Sequence, residues 1–384
     1  MNERIPPAVF PAYVNLHPGR EADEENRAWQ GCPSIAVTRG GRMFAAFFTG
    51  GLFEPCILNY NVLIQSDDGG ESWTKPILTV HSDYGMRMRN FDMELWITPE
   101  NHLWVMWAQS PYYETSQLAS IRNPVPCDYW LAMSATMVMV CKDPDAKELT
   151  WEQPRYLCDG CVRNRPIVTS SGRIIVPAYD FGGDSYVLRY SDDHGKHFRN
   201  VTVGKKPRTH TCDELAVYEH GKELTMIARS DEGCYLRATS LDGGESWGEI
   251  LPHEASPSVR CFVGTLKNGM VAYIRSISDT QRIGLKLSLS EDGGKTYPYT
   301  LVLDERENVS YPELVAAEDG SLYVIYDRER DNRLLKNTET WTSTAAKEIL
   351  LCKLSVADVI SGTLSDTSYL ARVISKAKIN DIAY

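Results

Sequence analysis

Apolar and polar positions alternate along this chain in short runs, each pair of runs broken by a turn rich in Gly or Asn. Six such pairs stand out: PSIAVTRGGRMFAAFF (33–48), MELWITPENHLWVMW (93–107), PIVTSSGRIIVPAY (166–179), ELAVYEHGKELTMIAR (214–229), CFVGTLKNGMVAYIR (261–275) and PELVAAEDGSLYVIYDR (312–328). Alternation with a period of two around a central turn is the pattern of a β-hairpin. The turns fall near 40, 101, 171, 221, 268 and 319. Two more extended runs follow most hairpins, so the pattern predicts six four-stranded antiparallel sheets.

An eight-residue phrase punctuates the same stretches: SDDGGESW (66–73), SDDHGKHF (191–198), SLDGGESW (240–247) and SEDGGKTY (290–297). The last three begin at 191, 240 and 290, steps of 49 and 50 residues. Repeats of that length mark propeller blades, whose radial closure leaves only short edges. The expected fold is therefore all-β, a six-bladed β-propeller of four-stranded antiparallel blades in one domain, 1–384. A loop insertion near 109–130 (QSPYYETSQLASIRNPVPCDYW) is expected in blade 2. Six unrelated hairpins in a sandwich would not keep so regular a spacing. The phrase itself follows a third strand each time (NVLIQ, YVLRY, YLRAT, LKLSL). Four copies in four blades cannot share one reaction centre, so it reads as scaffold. Its glycines supply positive φ, its Asp accepts from turn N–H groups, and its aromatic residue tucks into the blade.

Composition narrows the function classes. The chain is 43% apolar, enough for a large core without staples, and its net charge of −11 argues against nucleic acid or an anionic membrane as partner. The first residues, MNERIPPAVFPAYVNLHPGREADEEN, show no apolar h-region, so no secretion signal is expected, and the longest nearly apolar run, LAMSATMVMVC (131–141), is too short to cross a bilayer. Ten cysteines are scattered, and the one CxxC, Cys158 to Cys161, has no second pair at a zinc-ribbon interval. Reduced thiols, a cytoplasmic location and no metal or cofactor are the expectations; the oligomeric state is not legible.

In a propeller the first strand of each blade starts at one mouth of the axial channel, and the second strand returns to it. First-strand starts supply Gly31-Cys32-Pro33, Arg89 to Asp92, Arg163 to Arg165, His210 to Glu214, Ser258 to Arg260 and Ser310-Tyr311. Second-strand ends supply Trp107, Asp180, Arg229, Arg275 and Asp327-Arg328; Glu54 and Arg282 precede third strands. So many arginines at one mouth of an acidic protein point to a bound anion, most simply a carboxylate. No HExxH, P-loop or GxSxG is present.

The repeated phrase resembles the Asp-box, or bacterial neuraminidase repeat, of the sialidase superfamily, and the likeness covers most of the chain. ELAVYEHGKELTMIAR is similar to the family's Glu…Gly…Arg strand pair, RIGLKLSLSEDGGKTY to the segment where an arginine precedes an Asp-box strand, and SYPEL to its tyrosine motif. GRIIVPAYDFGGDSYVLRYSDDHGKHF resembles the third blade. The resemblance implies Tyr311 as nucleophile, Glu214 as its partner, and Arg229 and Arg282 as carboxylate-binding arginines. Two departures stand against it. Gly31-Cys32-Pro33 replaces the family's Arg-Ile-Pro, and the blade-1 loop GGLFEPCILNYN offers only Glu54 where the acid/base Asp is expected. Arg89, Arg163 or Arg165 could supply the missing charge, Arg260 stands among the substrate-binding candidates, and Asp92 or Asp180 could be the acid. His210 could be an acid, a sugar contact or a plain loop histidine. The expectation is a retaining exo-glycosidase removing a terminal acidic sugar, sialic acid or a relative, from an oligosaccharide or glycoconjugate. A lyase on uronate-containing glycans, using Tyr311 and His210, and a non-catalytic sugar-binding propeller are the other two readings.

Overall fold

A computed structural model describes residues 10–51, 54, 58–83, 88–111, 134–180, 183–207, 212–328, 334–336, 340–343 and 346–383. Six antiparallel sheets follow one another along the chain, as the hairpin pattern anticipates. The hairpins that open the blades pair Gln30–Val37 with Met43–Thr49, Met88–Ile97 with Leu103–Pro111, Ile167–Val168 with Ile174–Val176, Ala216–His220 with Glu223–Ala228, Phe262–Thr265 with Val271–Arg275, and Val309–Ala316 with Leu322–Arg328. Each sheet has four strands, and a short strand β1 (Val14–Asn15) adds a fifth at the outer edge of blade 1. A three-stranded sheet (Leu334–Lys336, Thr340–Ser343, Asp381–Ala383) stands apart from the blades.

Apolar side chains gather at the joints between blades. Six buried clusters occupy the six joints: blades 1 and 2 share one around Phe44, Leu95 and Trp107, and blades 6 and 1 share one around Phe47, Ile325 and Leu351. The ring therefore closes by side-chain packing of the last blade on the first. Trp107 is fully buried within the strand Leu103–Pro111, whereas the sequence places it at the strand's end. Residues 109–111 of the expected blade-2 insertion (109–130) belong to that strand, and the rest of the expected insertion lies outside the described residues.

The four repeated phrases sit between the third and fourth strands of blades 1, 3, 4 and 5. In each, a strand-ending serine donates to the Asp two residues on and accepts from the second glycine position, as Ser240 does with Asp242 (2.8 Å) and the Gly244 N–H (2.9 Å). Asp242 in turn accepts from Ser246. The second glycine also abuts the preceding blade: Gly244 faces Tyr190, Gly195 faces Trp104, and Gly70 faces Leu351. The phrase is thus a turn and a joint at once. Gly244 has φ +88° with no room for a Cβ beside Tyr190, whereas Gly243 has φ +71° and open space. Gly243→Ala should cost about 1 kcal/mol from backbone conformation alone. Gly244→Ala should cost roughly 3 kcal/mol, because it also forces the Tyr190 ring to move; urea denaturation of the two variants separates the contributions.

Candidate active site

One residue at the start of the inner strand in five blades has the rare left-handed backbone: Cys32 (φ 52°), Asp92 (φ 49°), Glu214 (φ 41°), Ser258 (φ 56°) and Tyr311 (φ 52°). Strand register slips at the same places, between Gly31 and Ser34, Phe91 and Glu94, and Ser310 and Glu313. Such bulges re-aim a side chain that a regular strand would send elsewhere, and non-glycine residues hold positive φ only where the surroundings enforce it. The Asp327 carboxylate, from blade 6, fixes the first bulge by accepting the Cys32 N–H at 2.7 Å.

These re-aimed residues converge. The Tyr311 hydroxyl donates to Glu214 Oε1 at 2.9 Å, joining blades 6 and 4 across the axis. Arg229 Nη1 holds the other oxygen of the same carboxylate at 2.8 Å. Glu214 and Tyr311 are both buried. Burial alone would raise the Glu214 carboxyl; the charge and hydrogen bond of Arg229, with Arg163 and the Tyr311 hydroxyl, outweigh it and hold the group below the usual carboxylate range. Glu214 is thus an ionised acceptor facing a phenol. Arg282 Nη1 donates to Ser310 Oγ at 3.0 Å, which places its guanidinium beside the nucleophile candidate.

Asp92 completes the other side. Burial pushes its carboxyl up to about 7; Arg163 opposes the rise, while Glu54 and Glu214 add to it. Its Oδ1 is buried with no hydrogen-bond partner. Cys32, Glu54 and Asp92 bring one donor atom each within 4.8 Å of one another, the one group of metal-ligand types so close among the described residues. Two observations favour an acid–base corner over a cation site. The Cys32 thiol lies 3.7 Å from a Glu54 oxygen, within hydrogen-bond reach for sulfur. Arg163 and Arg89 also act on Asp92 and would repel a cation.

The structure separates the arginines that the sequence groups together. Arg229 and Arg282 reach the Tyr311 site. Arg89 is buried and stacks on Phe91, 3.9 Å from ring centroid to guanidinium carbon. Arg163 is fully buried, held by Glu94 Oε2 at 3.0 Å and the Pro33 carbonyl at 3.1 Å, with its guanidinium carbon 4.9 Å from the Tyr311 ring centroid. Arg260 is consumed by Asn164 Oδ1 and by the Pro312 carbonyl at 2.6 Å, so its guanidinium braces the scaffold where a substrate contact was expected. Arg165 lies over Phe262 and lines a cavity of about 350 Å³ with Ile167, Val217 and Phe262, toward the hairpin-turn end of the channel. Asp180 is paired with Arg189 at 2.5 Å, and Arg275 with Glu254 and Asp279. His210 lies outside the described residues.

A second layer lies below the mouth, of which the sequence singled out only Arg165 and Arg260, and those as mouth residues. Residues two places beyond the mouth residues point at the axis one step deeper, as strand periodicity requires: Ser34, Glu94, Arg165, Arg260 and Glu313. Ser34 Oγ donates to Glu94, and burial together with Glu94 pushes the Glu313 carboxyl well above its usual range, favouring a proton on it. Charged residues in otherwise apolar inner strands, at a fixed offset of two, were the available signal.

A phenol, a carboxylate and two guanidinium groups thus meet at the axial mouth of a six-bladed propeller. A BNR repeat-like domain model matches residues 120–324, just over half of the sequence, and the chain belongs to that family as a divergent sialidase-like member. The anhydrosialidase of Macrobdella decora is 30% identical over 83 residues, 22% of this chain and 11% of that protein. The chain thus matches about a tenth of the length of that curated relative. The intramolecular trans-sialidase of Ruminococcus gnavus superposes with a TM-score of 0.67 at 15% identity, over 90% of this chain and 98% of that one. A Hadza microbial sialidase superposes at 0.63 with 17% identity, over 82% and 66%.

Proposed function

We propose that the protein is a retaining exo-glycoside hydrolase that removes a terminal acidic sugar, sialic acid or a close relative, from a glycan. The observation that carries this reading is the chain Tyr311 hydroxyl, Glu214 carboxylate, Arg229 guanidinium, with both carboxylate oxygens engaged. A neutral phenol can approach an anomeric carbon that bears a carboxylate without the repulsion a carboxylate nucleophile would meet, and sialidases are an exception to the use of two carboxylates by most glycosidases. A lone pair on Tyr311 Oη forms the bond to the anomeric carbon as its proton passes to Glu214 Oε1. The glycosidic C–O bond breaks, and the leaving oxygen takes the proton of Asp92, helped by Glu54 nearby. In the second half Asp92 accepts a proton from water as the water oxygen bonds to the anomeric carbon, the bond from that carbon to Tyr311 Oη breaks, and the phenolate released recovers its proton from Glu214. Arg229 and Arg282 hold the sugar carboxylate, and no metal is called on at any step.

A protonated Asp92 and an ionised Glu214 are both needed. Activity should therefore hold on the acid side of neutrality and fall as pH rises through about 7, where Asp92 loses its proton. Asp92→Asn should remove that alkaline fall. It should also cost roughly 10²–10⁴-fold on glycans with an alcohol leaving group, and much less on aryl glycosides, whose leaving group departs without a proton.

The proposal is tested by release of a fluorescent aglycone from a panel of sialosides and uronides, with product analysis of any substrate that turns over. Hydrolysis of a sialoside supports it. An unsaturated product absorbing in the near ultraviolet would move the assignment to a lyase, and an anhydro sugar to intramolecular transfer, the activity named for the Ruminococcus gnavus relative. Binding without turnover would leave a sugar-binding propeller.

A further inference from the structure

Arg163 belongs to the channel mouth by sequence, yet no substrate group can reach it: the side chain is fully buried and two of its nitrogens are spoken for by Glu94 and Pro33. What it does face is the ring of Tyr311, 4.9 Å from guanidinium carbon to ring centroid. Burial disfavours the Arg163 charge, but Cys32, Asp92, Glu94 and Tyr311 around it outweigh that and keep it protonated. Glu94 is itself fully buried and tied to Ser34, so the cation cannot swing away without stranding a carboxylate.

We propose that Arg163 is a positioning residue for catalysis, a fixed buried cation that Glu94 holds against the Tyr311 ring so that charge on the phenol oxygen is stabilised while the tyrosine attacks and leaves. This rests on the assignment of Tyr311 as nucleophile. The phenol needs two kinds of help. Glu214 removes the proton across 2.9 Å and becomes neutral in doing so, so it brings no positive charge to the phenolate that results. A cation is needed for that. Arg229 supplies part of it, although it is shared with Glu214 and with the substrate carboxylate. Arg163 is the cation reserved for the ring. A desolvated guanidinium over an aromatic face is worth more than an exposed one, so the effect on rate should be on the order of 30-fold. Among the described residues, the charged groups around Tyr311 include Glu214 and Arg229 from blade 4, Arg163 from blade 3, and, through Ser310, Arg282 from blade 5; Asp92 from blade 2 faces Arg163, and Glu54 from blade 1 faces Asp92.

The test uses the full chain labelled with ¹³Cζ-tyrosine, the Tyr311 signal being assigned from its loss in Tyr311→Phe. Arg163→Met keeps the volume and removes the charge; Arg163→Lys keeps the charge. Arg163→Met is expected to move the Tyr311 ionisation to higher pH and to lower kcat on the order of 30-fold with KM little changed, and Arg163→Lys is expected to recover most of both. A merely structural arginine would instead leave the Tyr311 titration in place in whatever fraction folds. An unmoved titration in folded Arg163→Met, or no rescue by Arg163→Lys, overturns the proposal. Because the titration is read without substrate, it stands or falls separately from whether acidic glycosides turn over.

Discussion

Tyr311→Phe should lower kcat/KM on an acidic glycoside by at least roughly 10³-fold, since removal of a nucleophile takes the whole covalent route with it. The substitution deletes one oxygen from a ring that stays packed among Trp29, Phe91 and Leu215, so the fold should survive it. What changes chemically is the acceptor left behind: Glu214 keeps Arg229 at 2.8 Å and loses its hydroxyl donor. Binding of the sugar carboxylate through Arg229 and Arg282 should persist, so KM should change far less than kcat. Steady-state kinetics with calorimetric binding to the variant checks both parts. A variant that turns over as fast as wild type removes Tyr311 from the mechanism.

The second large effect concerns the ion pair beneath that ring. Glu94→Leu leaves the Arg163 guanidinium buried without its carboxylate, which should cost about 3–5 kcal/mol of stability. The double variant Glu94→Leu with Arg163→Met replaces both charges by apolar groups of similar size, and stability should return to near the wild-type value. Activity should not return with it, because the cation that serves Tyr311 is gone. Urea denaturation and kcat, measured on the same three proteins, show whether the two properties separate in this way. A double variant that regains both would mean that the pair serves folding alone.

The propeller was legible because its repeats are redundant. Turns near 40, 101, 171, 221, 268 and 319 coincide with residues of positive φ at Gly41, Asn101, Gly172, Gly221, Gly269 and Gly320, and the Asp-box spacing set the blade count. Tyr311, Glu214, Arg229 and Arg282 were legible because each stands in a local motif. The remaining arginines were not, and the reason is the geometry of a strand. A sequence position at the mouth does not say which face of the strand the side chain leaves from; Arg260 and Arg165 lie in the deeper layer, and Arg163 is drawn inward by Glu94. The bulges at Cys32, Asp92 and Tyr311 leave no residue signature of their own, since these side chains share nothing but a strained backbone. Asp92 was one of several carboxylates in sequence. Its unpartnered, buried oxygen and the anionic neighbours Glu54 and Glu214 single it out in space.

The central claim is that a tyrosine, and this one, forms the bond to the sugar. It is tested most directly by trapping with an acidic glycosyl fluoride carrying a second fluorine beside the anomeric centre, which slows breakdown of a covalent intermediate. The parent sugar is the one that wild type releases fastest in the panel, and intact-mass and peptide mass spectrometry follow the trapping. One added glycosyl mass is expected on the peptide containing Tyr311, and none in Tyr311→Phe. Turnover with the adduct on any other side chain, or with inverted anomeric configuration in the first-formed product, would contradict it.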